Sequence, residues 1–323
     1  MPKDFLSEND DRFYKFREHY SELFFKVLHA TESSRIDLGY GADKTERKRC
    51  RYCRKVEGDT TFRKESHAIP ITLGNRTLID GLECDECNNH FSVYLEDSFS
   101  KFILPHKIIN TIRGRGNPKY SDEDVEIAVR GKGDININVL AGSKVGWGFE
   151  TLENGRRLKL DFTRQSYRPI AVYKMFVKIA LALMPYAEMS KLDLLRQWIL
   201  SKEHIGYFSG VPVTQWEFQG NFDPCELKCG LFKVKDEFKD DYFTYTLILV
   251  FGNLQYCVVV PDPALDLNVR KAMLNFPVLI DARTVENCGV PSFKRLYFDS
   301  GEVVRKEKIS LFMIFKDVVK TNS

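Results

Sequence analysis

Cys50 and Cys53 form C-x-x-C in the run KRCRYCRK, and Cys84 and Cys87 form a second C-x-x-C in ECDECNN, thirty residues further on. Each pair makes a tight turn whose two sulfurs grip one ion, and two such turns complete a tetrahedron, an arrangement that suits structural Zn²⁺. Paired spacing and polar flanks separate this pattern from four unrelated core cysteines. Between the pairs lies TFRKESHAIPITLGN, in which His67 is the one histidine, followed by a short apolar step, Pro70 and Gly74. An imidazole titrates close to neutral pH and so suits proton transfer. A lone histidine is more often a packed or capping side chain. This one lies inside a zinc-stapled loop, and the second knuckle ends in Asn88.

Several elements must hold these groups. After Asn88, HFSVYLEDSFSKFIL places Phe91, Leu95, Phe99, Phe102 and Ile103 on one helical face. Upstream, Phe13, Phe16, Tyr20, Phe24 and Val27 recur at spacings of three and four, which predicts a helix from about Asp10 to His29 capped by Asn9 or Asp10. Downstream, VEIAVR, ININ, WGFETL and RLKLDF alternate with GKGD, AGSKVG and ENGR, the pattern of a β-meander. Pro169 suits the first turn of a helix through Met184, and Ser190 with Asp193 resembles a capping box opening a helix to about Ser201. FTYTLILVF and LQYCVVV flank Gly252-Asn253, a hairpin signal. The fold class is α+β. The expected division is a helical segment at 1–43, a zinc-stapled module at 44–105, a basic linker at 106–123 and a larger α+β domain at 124–323.

A chain of 323 residues with 43% hydrophobic and 29% charged residues reads as globular, and the 48 basic against 45 acidic side chains exclude a uniformly basic histone-like protein. MPKDFLSEND is not a secretory leader, and Ile170–Pro185 is too short to span a bilayer and is broken by Lys174 and Lys178, so no membrane role and a cytoplasmic location are expected. There thiols stay reduced, and the eight cysteines are read as metal ligands or core fillers; Cys225, Cys229, Cys257 and Cys288 are read as packing, with a second metal site at Cys225 and Cys229 the rarer alternative. Charge is local. Lys44, Arg47, Lys48, Arg49, Arg51, Arg54 and Lys55 face one acid, Glu46, and Lys101, Lys107, Arg113, Arg115 and Lys119 face none. Two such runs bracketing the site predict phosphate contact, above all by Arg49, Arg51, Arg54, Lys107, Arg113 and Arg115.

The ordered set CRYC, ESHAIP, LGN and CDECNNHF resembles the HNH endonuclease family, whose catalytic element is a ββα-metal fold, over about residues 50 to 104. The resemblance implies that His67 is the general base toward water attacking a phosphodiester, and that Asn88 binds a catalytic Mg²⁺ or Mn²⁺. Family members often carry Asp or His just before the base; here that residue is Ser66 and the acid is Glu65. On a strand Glu65 and His67 share a face while Ser66 points away, so Glu65 is the expected second metal ligand, with Ser66 acting through a water as the fallback and His90 and Asp85 as further candidates. The resemblance also implies a DNA substrate. An antiviral role, a homodimer that turns two nicks into a double-strand break, and a small-molecule or protein activator read by the C-terminal domain stand as family-level analogy. The alternative reading is a catalytically degenerate zinc-containing nucleic-acid-binding protein; a scaffold with a purely structural knuckle is a second rival.

Overall fold

A computed structural model describes residues 2–39, 47–131, 133–140, 147–152, 155–189, 191–206, 211–218, 220, 222–266, 269 and 276–315. A six-stranded antiparallel sheet organises the chain. Its strands, in spatial order, are β1 (Tyr20–His29), β10 (Glu226–Val234), β11 (Tyr245–Phe251), β12 (Leu254–Val260), β9 (Val213–Glu217) and β13 (Ser292–Leu296). The sheet is covered on both faces, which is why β11 and β12 read as unbroken apolar runs rather than alternating ones. Leu247, Leu249 and Phe251 of β11 face α4 (Pro169–Leu183), whereas Ile248 and Val250 face the opposite layer with Phe5 and Phe16 of α1 (Pro2–His19) and Val285 of α7 (Ala282–Cys288).

The N-terminal segment departs from expectation. The helix spans Pro2–His19, and Tyr20–His29 is a strand paired antiparallel with β10 from Tyr20–Val234 to His29–Glu226. Asn9 does not cap α1. Its amide donates to the carbonyl of Val278 (3.0 Å) and its oxygen accepts from the Val278 amide (2.8 Å), tying the helix to a distant segment.

The four-cysteine module contributes β3 (Leu78–Ile79), paired in parallel with β2 (Ile36–Asp37) from the segment before it, and a long helix made of α2 (Asp85–Phe91), a π-turn at 92–96 and α3 (Asp97–Ile109). That helix crosses the boundary expected at residue 105, and the basic stretch after it starts inside its last turn. Cys50, Tyr52, Ala68 and Phe91 of the module share one continuous core with α4 and the sheet. Phe99 of α3 meets Phe176 of α4 edge to face at 5.2 Å, and Phe91 meets Tyr52 at 4.8 Å. At the far end of α3, the Asn110 oxygen accepts from the Asn253 amide (2.9 Å) beside Gly252, which has φ +53° and leaves no room for a Cβ against Asn110.

The expected meander forms two three-stranded sheets. One has β4 (Lys119–Ser121), β5 (Val125–Arg130) and β6 (Asp134–Val139); the other has β7 (Trp147–Leu152), β8 (Gly155–Thr163) and β14 (Lys308–Phe315). Both pack their apolar sides, including Ile127, Leu160 and Phe162, around Ile108 of α3. The helix expected from Ser190 to about Ser201 is α6 (Asp193–Leu200), preceded by the short α5 (Tyr186–Met189), and the capping residue proposed for it, Ser190, lies outside the described residues.

Candidate active site

The four sulfurs of Cys50, Cys53, Cys84 and Cys87 lie within 4.8 Å of one another, with Cys50–Cys87 at 3.8 Å and Cys53–Cys84 at 3.6 Å. Four sulfurs each about 2.3 Å from one zinc stand about 3.8 Å apart, so the cluster fits that ion in size and donor type. Crowded together, the thiols share charge: hydrogen bonds from Cys50 and Cys87 hold Cys84 far below the ordinary thiol range, while Cys50, bonded to Cys84, is pushed up to about 12. A bound cation resolves that competition by taking all four as thiolates.

The knuckles set the two chain segments that carry His67 and Asn88. Cys84 precedes the first turn of α2, and Asp85 straps that turn to the extended segment before His67, accepting from the Thr61 hydroxyl (2.5 Å) and from the amides of Arg63 (3.2 Å) and Lys64 (2.8 Å). Asp85 therefore holds the scaffold instead of standing free as a ligand. Asn88, three residues on, shares that face of the helix, is half-buried, and its side chain has no hydrogen bond among the described residues. His90 stands on the other side, tilted against Tyr94 at 4.8 Å and packed toward Ile199, which takes it out of the candidate ligands.

His67 bridges to Ile79 and its carbonyl accepts from Lys178 of α4 (3.0 Å). Its Nε2 is 3.6 Å from Glu65, whose other carboxylate oxygen pairs with Arg35 at 2.5 Å. Its Nδ1 is buried and finds no partner among the described residues. Burial lowers the His67 pKa; Glu65 opposes this, and Lys178, Arg115 and Arg35 reinforce it, so the environment favours the neutral ring, the form that accepts a proton. The segment that carries them forms no strand, only the single bridge from His67 to Ile79, yet Glu65 and His67 still lie side by side. Ser66 faces away: it is buried, its hydroxyl lacks a partner among the described residues, and its carbonyl accepts from Asp80.

Asn75, in the LGN run, is a positioning residue to which the sequence reading assigns no role. Its amide donates to the carbonyls of Ile69 (2.8 Å) and Leu78 (2.9 Å), and its oxygen accepts from the amides of Thr77 (3.2 Å) and Leu78 (2.9 Å). These four bonds close the loop that returns the chain from His67 to β3. On the same side Asp37 accepts from the amides of Gly39 (2.8 Å) and Gly81 (2.9 Å), and a Cβ on Gly81 would collide with its carboxylate.

The basic side chains divide into two groups. Arg51 is only 2% exposed; it donates to the carbonyls of Leu181 (3.0 Å) and Ala182 (2.5 Å) at the end of α4 and pairs with Asp80 at 3.1 Å. Lys107 is also buried, donates to the Thr72 hydroxyl (2.7 Å), and is pushed down to about 8 by that burial. Both expectations of phosphate contact are therefore corrected: these cations hold the module to its surroundings. Arg54 is engaged by the Tyr186 hydroxyl (3.0 Å) and Asp193 (3.4 Å). Arg49, Arg113 and Arg115 are exposed, and Arg35 and Arg76 join them as cations that the charge runs of the sequence do not include. Arg35 and Arg115 both act on His67. Lys44 and Glu46 lie outside the described residues.

A groove of about 270 Å³ beside this segment is lined by Arg35, Lys48, Arg63, Lys64, Glu65 and Ser66 among others. A larger hollow, about 520 Å³, runs along α1 and is lined by Glu8, Arg12 and Tyr242, away from this chemistry. Among the described residues no helix is long and apolar enough to cross a membrane.

Residues 50–104 match the family model of the HNH endonucleases. Over that segment the chain is similar to nucleases that act on nucleic acid, and the four-cysteine cluster accompanies the match. No curated protein and no solved structure matches the chain.

Proposed function

We propose that the module hydrolyses phosphodiester bonds in DNA, with His67 as general base. The observation that carries this reading is the His67 imidazole: without a partner at Nδ1 among the described residues, beside Glu65 at 3.6 Å, with burial and the nearby Arg35 and Arg115 favouring its neutral form. A water held against the ring gives up its proton as it attacks phosphorus, and the exposed arginines hold the flanking phosphates. Glu65 and Asn88 offer hard oxygen donors of the kind that suit Mg²⁺ or Mn²⁺. When bound there, the ion stabilises charge on the phosphate and the leaving 3′ oxygen. Lys178, on the His67 carbonyl, and Asn75, on the Ile69 carbonyl, keep this segment in place.

The test incubates the full chain with plasmid DNA, and in parallel with RNA, in Mg²⁺ or Mn²⁺. Wild-type protein nicks or linearises DNA, and His67→Ala, checked for an unchanged unfolding curve, does not. Cutting that survives His67→Ala overturns the assignment. A second reading is favoured by Ser66, which offers no ligand beside the base, and by Arg35, which already engages Glu65. In that reading the zinc fold binds DNA without cutting it, and both proteins bind equally and neither cuts. Defence against foreign DNA is the setting the family resemblance suggests for either form.

A further inference from the structure

The end of the β1–β10 pair brings together three donors of different kinds. His29 is the last residue of β1, and Asp223 and Cys225 flank Pro224 just before β10. One atom each from the imidazole, the carboxylate and the thiol lie within 4.8 Å of one another. The backbone fixes this convergence: the Ala30 amide donates to the Cys225 carbonyl (2.8 Å), and the pairing places His29 opposite Glu226. The Asp223 carboxylate is held as well, one oxygen accepting from the Cys225 amide (2.8 Å) and the other 3.0 Å from His29 Nε2. His29 Nδ1 meets the Thr31 hydroxyl at 2.6 Å. A metal-ligating histidine characteristically has its other ring nitrogen anchored in this way, which fixes the ring and here turns Nε2 toward the Asp223 carboxylate.

We propose that His29, Asp223 and Cys225 form a second metal site, for a zinc-class divalent cation. One nitrogen, one sulfur and one oxygen make a borderline donor set that favours zinc over magnesium or calcium. Thiolate and carboxylate together offset the charge of the ion. Three protein ligands leave one tetrahedral position for water. Cys229, the partner that spacing alone offers to Cys225, is not a ligand: its thiol is buried in the sheet and donates to the Lys26 carbonyl at 3.7 Å.

The test counts metal and does not depend on cleavage. The full chain is loaded with Zn²⁺ alone, freed of excess by gel filtration, and analysed for zinc by mass spectrometry. Wild type retains two equivalents; Cys225→Ser and His29→Ala each retain one. In Co²⁺-loaded protein, Cys225→Ser removes one of five cobalt-bound thiolates and lowers the charge-transfer band by about a fifth, while the tetrathiolate spectrum remains. One equivalent in wild type that survives both substitutions belongs to the four-cysteine cluster and overturns this second site. Two equivalents in all three proteins overturn it as well.

Discussion

Replacing Arg51 separates a structural cation from a phosphate-binding one. Its guanidinium sits against Asp80 at 3.1 Å, and the side chains of both are almost fully buried. In Arg51→Met the Asp80 carboxylate keeps the Tyr52 hydroxyl (2.9 Å) but loses its cation, and the carbonyls of Leu181 and Ala182 lose a donor. Breaking a buried pair from one side costs about 3–5 kcal/mol. With a urea dependence of about 3 kcal/mol/M, the midpoint falls by about 1–1.7 M. Urea titration followed by circular dichroism measures this, and Asp80→Asn added to Arg51→Met recovers part of the loss by removing the stranded charge. The salt dependence of DNA binding, measured where the variant is folded, stays unchanged. A loss below about 1 kcal/mol, the range of an exposed pair, together with a shallower salt dependence would show that Arg51 faces phosphate rather than the core.

Arg115→Gln is expected to do the reverse, reducing the log–log salt slope of DNA binding by about 0.9 for each phosphate the side chain no longer neutralises, while moving stability by no more than about 0.5 kcal/mol. Gly81→Ala forces a Cβ into the Asp37 carboxylate, and the overpacking costs about 1–3 kcal/mol in the same urea titration. Removing zinc with a chelator lowers the melting temperature of the whole chain, not of an isolated module, because Cys50, Cys84 and Cys87 belong to the main core; calorimetry showing one unaffected transition refutes this. His106 is held at about 3 by burial, with Arg164 and Lys294 adding to the effect, against 6.5 when unfolded. A depressed folded pKa leaves its contribution intact above pH 6.5 and removes it as pH falls toward 3, about 2 kcal/mol by pH 5. His106→Leu should therefore unfold with a shallower dependence on acid than wild type.

The parts of the fold that sequence exposed best are those in which local chemistry and tertiary position agree. The two C-x-x-C turns, Pro169 at the head of α4 and Gly252-Asn253 between β11 and β12 each fix their own geometry. Glu65 and His67 lie side by side, as a two-residue period predicts, although their segment makes a single bridge and no strand. The N-terminal segment shows the opposite case: Phe16, Tyr20, Phe24 and Val27 fit a helical period, but pairing with β10 captures the chain from Tyr20 onward. Local spacing carries no information about a partner so far along the chain. Charge misled at Arg51 and Lys107 for a related reason. A basic run is read as solvated unless the acid or carbonyl that buries it is known, and Asp80, Thr72 and the end of α4 all lie outside the run. Asn75 had a visible signal, the Gly-Asn step after Pro70, but its four backbone bonds form only once the loop is closed.

The pairing of Tyr20 with Val234 also sets a timetable for the newborn chain. At about 5–20 residues per second, some ten to forty seconds separate the emergence of the first strand from that of its mate. During that interval YSELFFKVLH, rich in aromatic and aliphatic side chains, has no sheet to join and is open to the wrong neighbour. The cysteine-bearing segment emerges within the same interval, yet the helix it docks on, α4, follows much later. Early metal capture thus gives the chain one ordered island while its longest-range strand waits, and expression at reduced translation speed or without chaperones should show its cost as insoluble protein.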